Sequence, residues 1–237
     1  MTLPKMTTPT YELEIPSTDE KLPFRPFLVK EEKILLMAME ENKSSAIINA
    51  VKSIVKACTF DKLDISKYPM FDVEYIFLQI RSKSVGETSK LKLLCPDDEK
   101  TYADVEVNLT DVKVQVEEGH TNKIEFDNNV GMIMTYPSVD SFIDSDIKTI
   151  TAENMLDVMS TCVLQIYEDG GEKVYEAKDQ TRKELTDFIE NLQSKDFQKI
   201  KDFFDTMPKL KHTVKFKNPK TKKNNEITLI GLNDFFG

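Results

Sequence analysis

"LKLLCPDDEKTYADVEVNLTDVKVQV", residues 91–116, decides the fold class. Leu91 and Leu93 alternate with lysine, and a polar turn follows around Pro96 and Asp97. Val105, Val107 and Leu109 then set a two-residue beat that Val112, Val114 and Val116 continue. Alternation of this kind marks strands with one face in a core and one in water. "NKIEF" (122–126) and "VGMIMTYP" (130–137) add two more strands. Residues 90–137 therefore read as an antiparallel β meander.

On both sides the period changes. Upstream, Ile34, Met37 and Ala38 form one helical stripe, and Ile47, Val51, Ile54, Val55 and Cys58 form another at steps of three and four. "PMFDVEYIFLQIRSK" (69–83) reads as a third helix, with Pro69 in its first turn and apolar residues around most of its girth. Downstream, a helix is expected from Thr151, carrying Met155, Leu156, Met159, Cys162, Val163 and Ile166 and ending at Gly170–Gly171. "TRKE" (181–184) is a capping box that starts the next helix, with Leu185, Phe188, Ile189 and Leu192 on one face. Ser194 is expected to cap a further helix through Phe197, Ile200 and Phe204, which Pro208 stops. "KHTVKFKNP" (211–219) and "EITLIGL" (226–232) make a terminal hairpin.

Runs of like elements indicate α+β rather than βαβ alternation. The expected architecture is helical segments flanking a central antiparallel β meander, with a C-terminal β-hairpin. No Gly/Ser or Pro-rich linker divides the chain, so residues 1–237 read as a single domain. Its parts are an extended arm (1–20), an extended segment with helices (21–85), the meander (90–137), helices (151–207) and the hairpin with its tail (209–237).

Composition narrows the function. Of 237 residues 40% are hydrophobic and 31% charged, enough for a sizeable core. The formal charge of -9 disfavours nucleic acid as a partner, since phosphate contacts need Lys and Arg. The basic run at 215–226 reads as a solvated hairpin loop. No apolar run is long enough for a membrane span or a secretory signal. Cys58, Cys95 and Cys162 lack paired spacing and read as reduced, partly buried thiols.

Recognisable chemistry is nearly absent. There is no nucleophile elbow, phosphate loop, dinucleotide fingerprint or zinc-protease motif. His120 and His212 stand beside no Cys, Ser or Asp in a catalytic arrangement and read as surface or strand residues. The pairs Asp97–Asp98 and Glu117–Glu118 lack further ligands at calcium-loop spacing. The two X-Pro hairpins, "LLCPDDEKTYADVEVNL" and "KFKNPKTKKNNEITLIGL", share the outline of zinc-ribbon knuckles. Asn218 and Thr221 stand where one knuckle needs sulfur, and Cys95 is alone opposite Asp98 in the other. No catalytic residue, cofactor or metal site is expected.

What remains is surface. "PFRPF" (23–27) sets Phe24 and Phe27 three residues apart in a backbone that Pro23 and Pro26 keep extended. Arg25 lies between them, and aromatic and Arg side chains are the usual anchors of interfaces. Glu31 and Glu32, in the first turn of the next helix, are alternative partners that would staple Arg25 to its own chain. The partner-binding candidates are Phe24, Arg25, Pro26, Phe27, Lys30, Glu31 and Glu32, with Phe235 and Phe236 at the other end.

Three segments carry a family resemblance: "LPKMTTPTYELEIPST" (3–18), "FRPFLVKEEKILLMAME" (24–40) and "ITLIGLNDFFG" (227–237), with "LLCPDD" (93–98) also fitting. They resemble the baseplate hub subunit and hub assembly protein family of T4-like contractile-tailed bacteriophages, over nearly the whole chain. Arg25, Pro26, Phe27, Lys30, Glu31, Glu32, Leu35 and Leu36 match the family's most specific marker. The resemblance implies a non-enzymatic structural subunit of the tail baseplate, assembled in the host cytoplasm. Its implied partners are other hub proteins, the tape-measure protein and a tail-tube initiator, in a hetero-oligomeric ring, with neither nucleic acid nor membrane. The alternatives are a hub assembly chaperone that leaves the finished virion and, from another class, a small metal-dependent hydrolase.

Overall fold

The computed structural model describes residues 6–41, 43–127, 129–140 and 155–235. The mixed α+β class holds. The backbone gathers into two compact units: Met1–Gln115 with Lys209–Gly237, and Val116–Pro208.

The first unit opens with a hairpin, β1 (Tyr11–Glu14) against β2 (Lys21–Phe24). Three helices follow: α1 (Val29–Glu41), α2 (Ser44–Cys58) and α3 (Met70–Ser84). Phe71, Val73, Ile76, Phe77, Leu78 and Ile80 of α3 are all buried. A helix apolar around most of its girth must be enclosed, and α3 lies against α2, β5 and β10. The antiparallel pair β3 (Thr88–Leu94) and β4 (Tyr102–Asn108) follows, with Leu91, Ala103, Val105 and Val107 buried. A short 3-10 turn (Leu109–Asp111) leads to β5 (Lys113–Gln115). The unit closes with β10 (Lys209–Lys217) and β11 (Asn224–Ile230), in a sheet of order β11-β10-β5.

The second unit is a four-stranded antiparallel sheet of order β6-β7-β8-β9, with helices. Its elements are β6 (Lys123–Glu125), β7 (Gly131–Met134), α4 (Met155–Thr161), β8 (Val163–Glu168), β9 (Lys173–Glu176), α5 (Arg182–Glu190) and α6 (Ser194–Thr206). Met132 and Met134 of the sheet pack with Met159, Leu185, Ile189, Ile200 and Phe203 of the helices. Gly131 faces Tyr167 across β7 and β8, and a Cβ there would stand 2.1 Å from the tyrosine ring. Only glycine admits that ring.

Three expectations need correction. The strands of the meander form, but not as one sheet: among the described residues β3 pairs with β4 alone, β5 joins the terminal hairpin, and β6 and β7 join β8 and β9. Alternation reports a strand and its buried face, not its partner. The helix expected through Ile166 ends at Thr161, and Val163–Glu168 is β8 (its expected start, residues 151–154, lies outside the described residues). The helical spacing of three and four continues through these residues, but the ladder with β7 outweighs it and makes them a strand. Ser194 is the first residue of α6 rather than its cap, which is Gln193. The capping box at Thr181–Glu184 is present in both directions.

Candidate docking surface

The junction between β2 and α1 is built around one carboxylate. Glu31 sits in the first turn of α1 with its side chain 3% exposed. Arg25 Nη2 donates to Glu31 Oε1 at 2.9 Å, and the Leu28 amide donates to Oε2 at 2.8 Å. Arg25 Nη1 donates to the Pro26 carbonyl at 2.9 Å, and the Arg25 amide to the Cys58 carbonyl at 2.9 Å. The Phe27 amide donates to Ser84 Oγ at 2.9 Å. Burial pushes the Glu31 carboxyl up, but the bonds from Arg25 and Leu28 and the charges of Arg25 and Lys30 outweigh it and hold it below the usual carboxylate range.

Phe24 and Phe27 are buried, and Pro26 is half-buried. Arg25 is thus committed to its own helix, the arrangement in which Glu31 staples the junction. At the other end Phe235 is buried completely, and Ser89 Oγ donates to its carbonyl at 3.0 Å. The Leu232 amide donates to Glu74 Oε1 at 3.2 Å, holding the terminal turn to α3. Phe236 lies outside the described residues. Of the aromatic anchors expected at the surface, Phe24, Phe27 and Phe235 instead fill the interior; of the other candidates, Lys30 and Glu32 are exposed.

The staple mounts a helix with an unusual exterior. α1 buries only Glu31 and Ala38, while Ile34, Leu36, Met37 and Met39 are 43–55% exposed, and Val29 is 80% exposed. The expected stripe of Ile34, Met37 and Ala38 therefore reaches the core only at Ala38. Ile34 and Met37 were read from the sequence as part of a stripe and none of these aliphatics as a docking contact, because they surround the helix instead of marking a second face. That even spread was itself the available signal.

The two X-Pro turns meet. Asn218 Nδ2 donates to Asp97 Oδ1 at 2.8 Å and Asn225 Nδ2 to the same oxygen at 2.9 Å. Thr221 Oγ1 donates to Asp97 Oδ2, and the Asp97 amide donates to Asn225 Oδ1 at 3.1 Å. Hydrogen bonds led by that from Thr221 hold the Asp97 carboxyl below its usual range. Asp98 and Asn218 each close their own turn by accepting backbone amides. Two knuckles are joined here by a carboxylate and amides in place of thiolates and a metal. Among the described residues, no three His, Cys, Asp or Glu side chains gather to hold a metal ion.

The remaining reactive groups are tied down. Cys58, Cys95 and Cys162 are buried free thiols. Burial pushes Cys58 and Cys162 up to about 11 and raises Cys95 as well, so none is a ready nucleophile. His120 departs from the surface residue expected of it. Its Nδ1 lies 2.9 Å from Thr206 Oγ1 and its Nε2 3.0 Å from Tyr136 Oη, with its ring against Tyr136 and Phe203. Thr206 Oγ1 already donates to the Asp202 carbonyl, so His120 Nδ1 donates and Nε2 accepts from Tyr136. His212 lies on β10 opposite Leu229.

Fold and surface together define an α+β protein with an exposed aliphatic helix. The sequence matches the family described as T4 bacteriophage base plate protein over residues 8–237, and the chain belongs to that family. It is thus a structural component of a phage tail baseplate. No curated protein and no solved structure matches it significantly.

Proposed function

We propose that the chain is a non-enzymatic subunit of the baseplate hub, built into a hetero-oligomeric ring by contacts with other hub proteins, the tape-measure protein and a tail-tube initiator. It would be made in the host cytoplasm and retained in the virion tail. The observation that carries this reading is α1, whose aliphatic side chains stand in water while an ion pair with a buried carboxylate fixes its mounting. Exposed apolar surface of this kind marks a protein that is completed by association. Lys30, Glu32 and the outer residues of α1 are the proposed docking contacts. Phe24, Arg25, Pro26, Phe27, Glu31 and Phe235 act from behind by fixing the elements that present them. Residues 1–237 enter the particle as one subunit.

Quantitative mass spectrometry of purified virions tests the reading. Presence of the chain at a fixed ratio to the tube protein supports a resident hub subunit. Its absence from virions, with baseplates failing to form when it is deleted, identifies an assembly chaperone instead. Magnesium- or zinc-dependent hydrolytic turnover by the purified chain would overturn the non-enzymatic reading.

A further inference from the structure

The outer face of α1 has a charge order that selects one occupant. Lys30 and Lys33 lie in its N-terminal half, and Glu40 and Glu41 lie in its last turn, which contains no basic residue. Ile34, Leu36 and Met37 lie between them. All seven side chains are exposed, Lys30 to 71%. At 100° per residue, positions 30, 34, 37 and 41 fall on one narrow stripe, and 33, 36 and 40 fall on the neighbouring one. The buried residues, Glu31 and Ala38, point elsewhere.

We propose that this face binds a second copy of the chain, α1 against α1 in antiparallel order. A head-to-tail overlay sets each copy's lysine half against the other's glutamate half, with the aliphatic centres meeting. A parallel overlay would set like charges together. The patch is therefore complementary to itself about a two-fold axis, as an isologous contact requires. The glutamates also stand at the negative end of the helix dipole, where a partner's cations relieve both charges. A helix of 13 residues covers less than the roughly 800 Å² per partner of a standard interface, so the contact is weak between free subunits and strengthens where an assembly concentrates them. The inference does not depend on the hub reading, because a chain that never enters a tail carries the same face.

Sedimentation equilibrium of the full chain at rising concentration tests it. Reversible dimerisation is expected, weakening as salt rises from low to high. Two charge-reversed chains, Lys30→Glu with Lys33→Glu and Glu40→Lys with Glu41→Lys, should each self-associate at least about tenfold more weakly. Mixed together, they should restore association in a one-to-one complex. Met37→Asp, at the centre, should abolish dimers irrespective of charge, and circular dichroism checks that each variant is folded. A monomer at every concentration overturns the proposal. So does a dimer that neither reversed pair weakens, or a mixture that associates no better than its components.

Discussion

Arg25 and Glu31 form an ion pair of 2.9 Å whose side chains are 13% and 3% exposed, and it fixes where α1 begins. Removing the arginine leaves a buried carboxylate with the Leu28 amide and the exposed Lys30. Arg25→Ala should therefore cost about 3 kcal/mol of unfolding free energy, the usual penalty for half of a buried pair. Arg25→Lys should recover only part, because an ammonium cannot also fork to the Pro26 carbonyl. Urea denaturation measures both. An Arg25→Ala chain as stable as the parent would remove the staple from the account.

The same carboxyl sets an acid limit. Its folded pKa lies below the ordinary 4.5, so the unfolded chain takes the proton first as pH falls. The stabilisation is complete above about pH 4.5 and disappears as pH falls through the folded value. Glu31→Gln should flatten this acid limb in thermal melts followed from pH 6 to pH 3.

Glu74 behaves in the opposite sense. Burial pushes its carboxyl up to about 7, against the opposing bond from the Leu232 amide. The folded chain holds a proton that the unfolded chain releases, so stability falls as pH rises from about 4.5 through 7 and stays lower above. Glu74→Gln keeps an acceptor for Leu232 without the charge. It should raise the melting temperature at pH 8 and leave it nearly unchanged at pH 4. A variant that is destabilised at pH 8 would show that the carboxylate itself is needed.

His120 gives the second unit its own pH response. Burial lowers its pKa below 6.5, and its Nε2 accepts from Tyr136, a bond that protonation forfeits. The contribution is complete above about pH 6.5 and is lost as pH falls through the folded value. Imidazole proton shifts followed by NMR should titrate below 6.5, with the Tyr136 ring responding at the same midpoint. Titration above 6.5 would contradict the lowering of its pKa by burial.

At the joined turns, Asp97→Ala should release the Asn218 and Asn225 amides together. Hydrogen exchange is expected to quicken in both hairpins, although they are distant in sequence. Quickening confined to residues 95–101 would mean that the turns stand independently.

How much of this was legible in the sequence follows from distance along the chain. The Thr181–Glu184 box was readable because both partners lie in one turn. α3 was readable because its girth is apolar nearly throughout. The Arg25–Glu31 pair was visible as one of two options, and only burial chooses between them. The Asp97 clamp joins residues 121 apart, and no local pattern announces it. β8 was hidden because Cys162, Val163 and Ile166 continue a helical spacing, while a bond from the Thr135 amide to the Cys162 carbonyl already belongs to the sheet side. The partners of β5, β6 and β7 were hidden for the same reason: pairing across the chain is decided by which faces need covering.

The register of β5 and β10 places Gln115 directly opposite Lys209. Everything between them belongs to the second unit, a guest inserted in the sequence of the first. Closing so long a loop as an open chain would carry a large entropic cost, but a guest that folds first brings its own ends together. During synthesis the guest can be complete while its host still lacks β10, β11 and Phe235. The host's last layer thus waits until the guest has been synthesised. A short turn spliced between Gln115 and Lys209 should yield a host that folds without its guest.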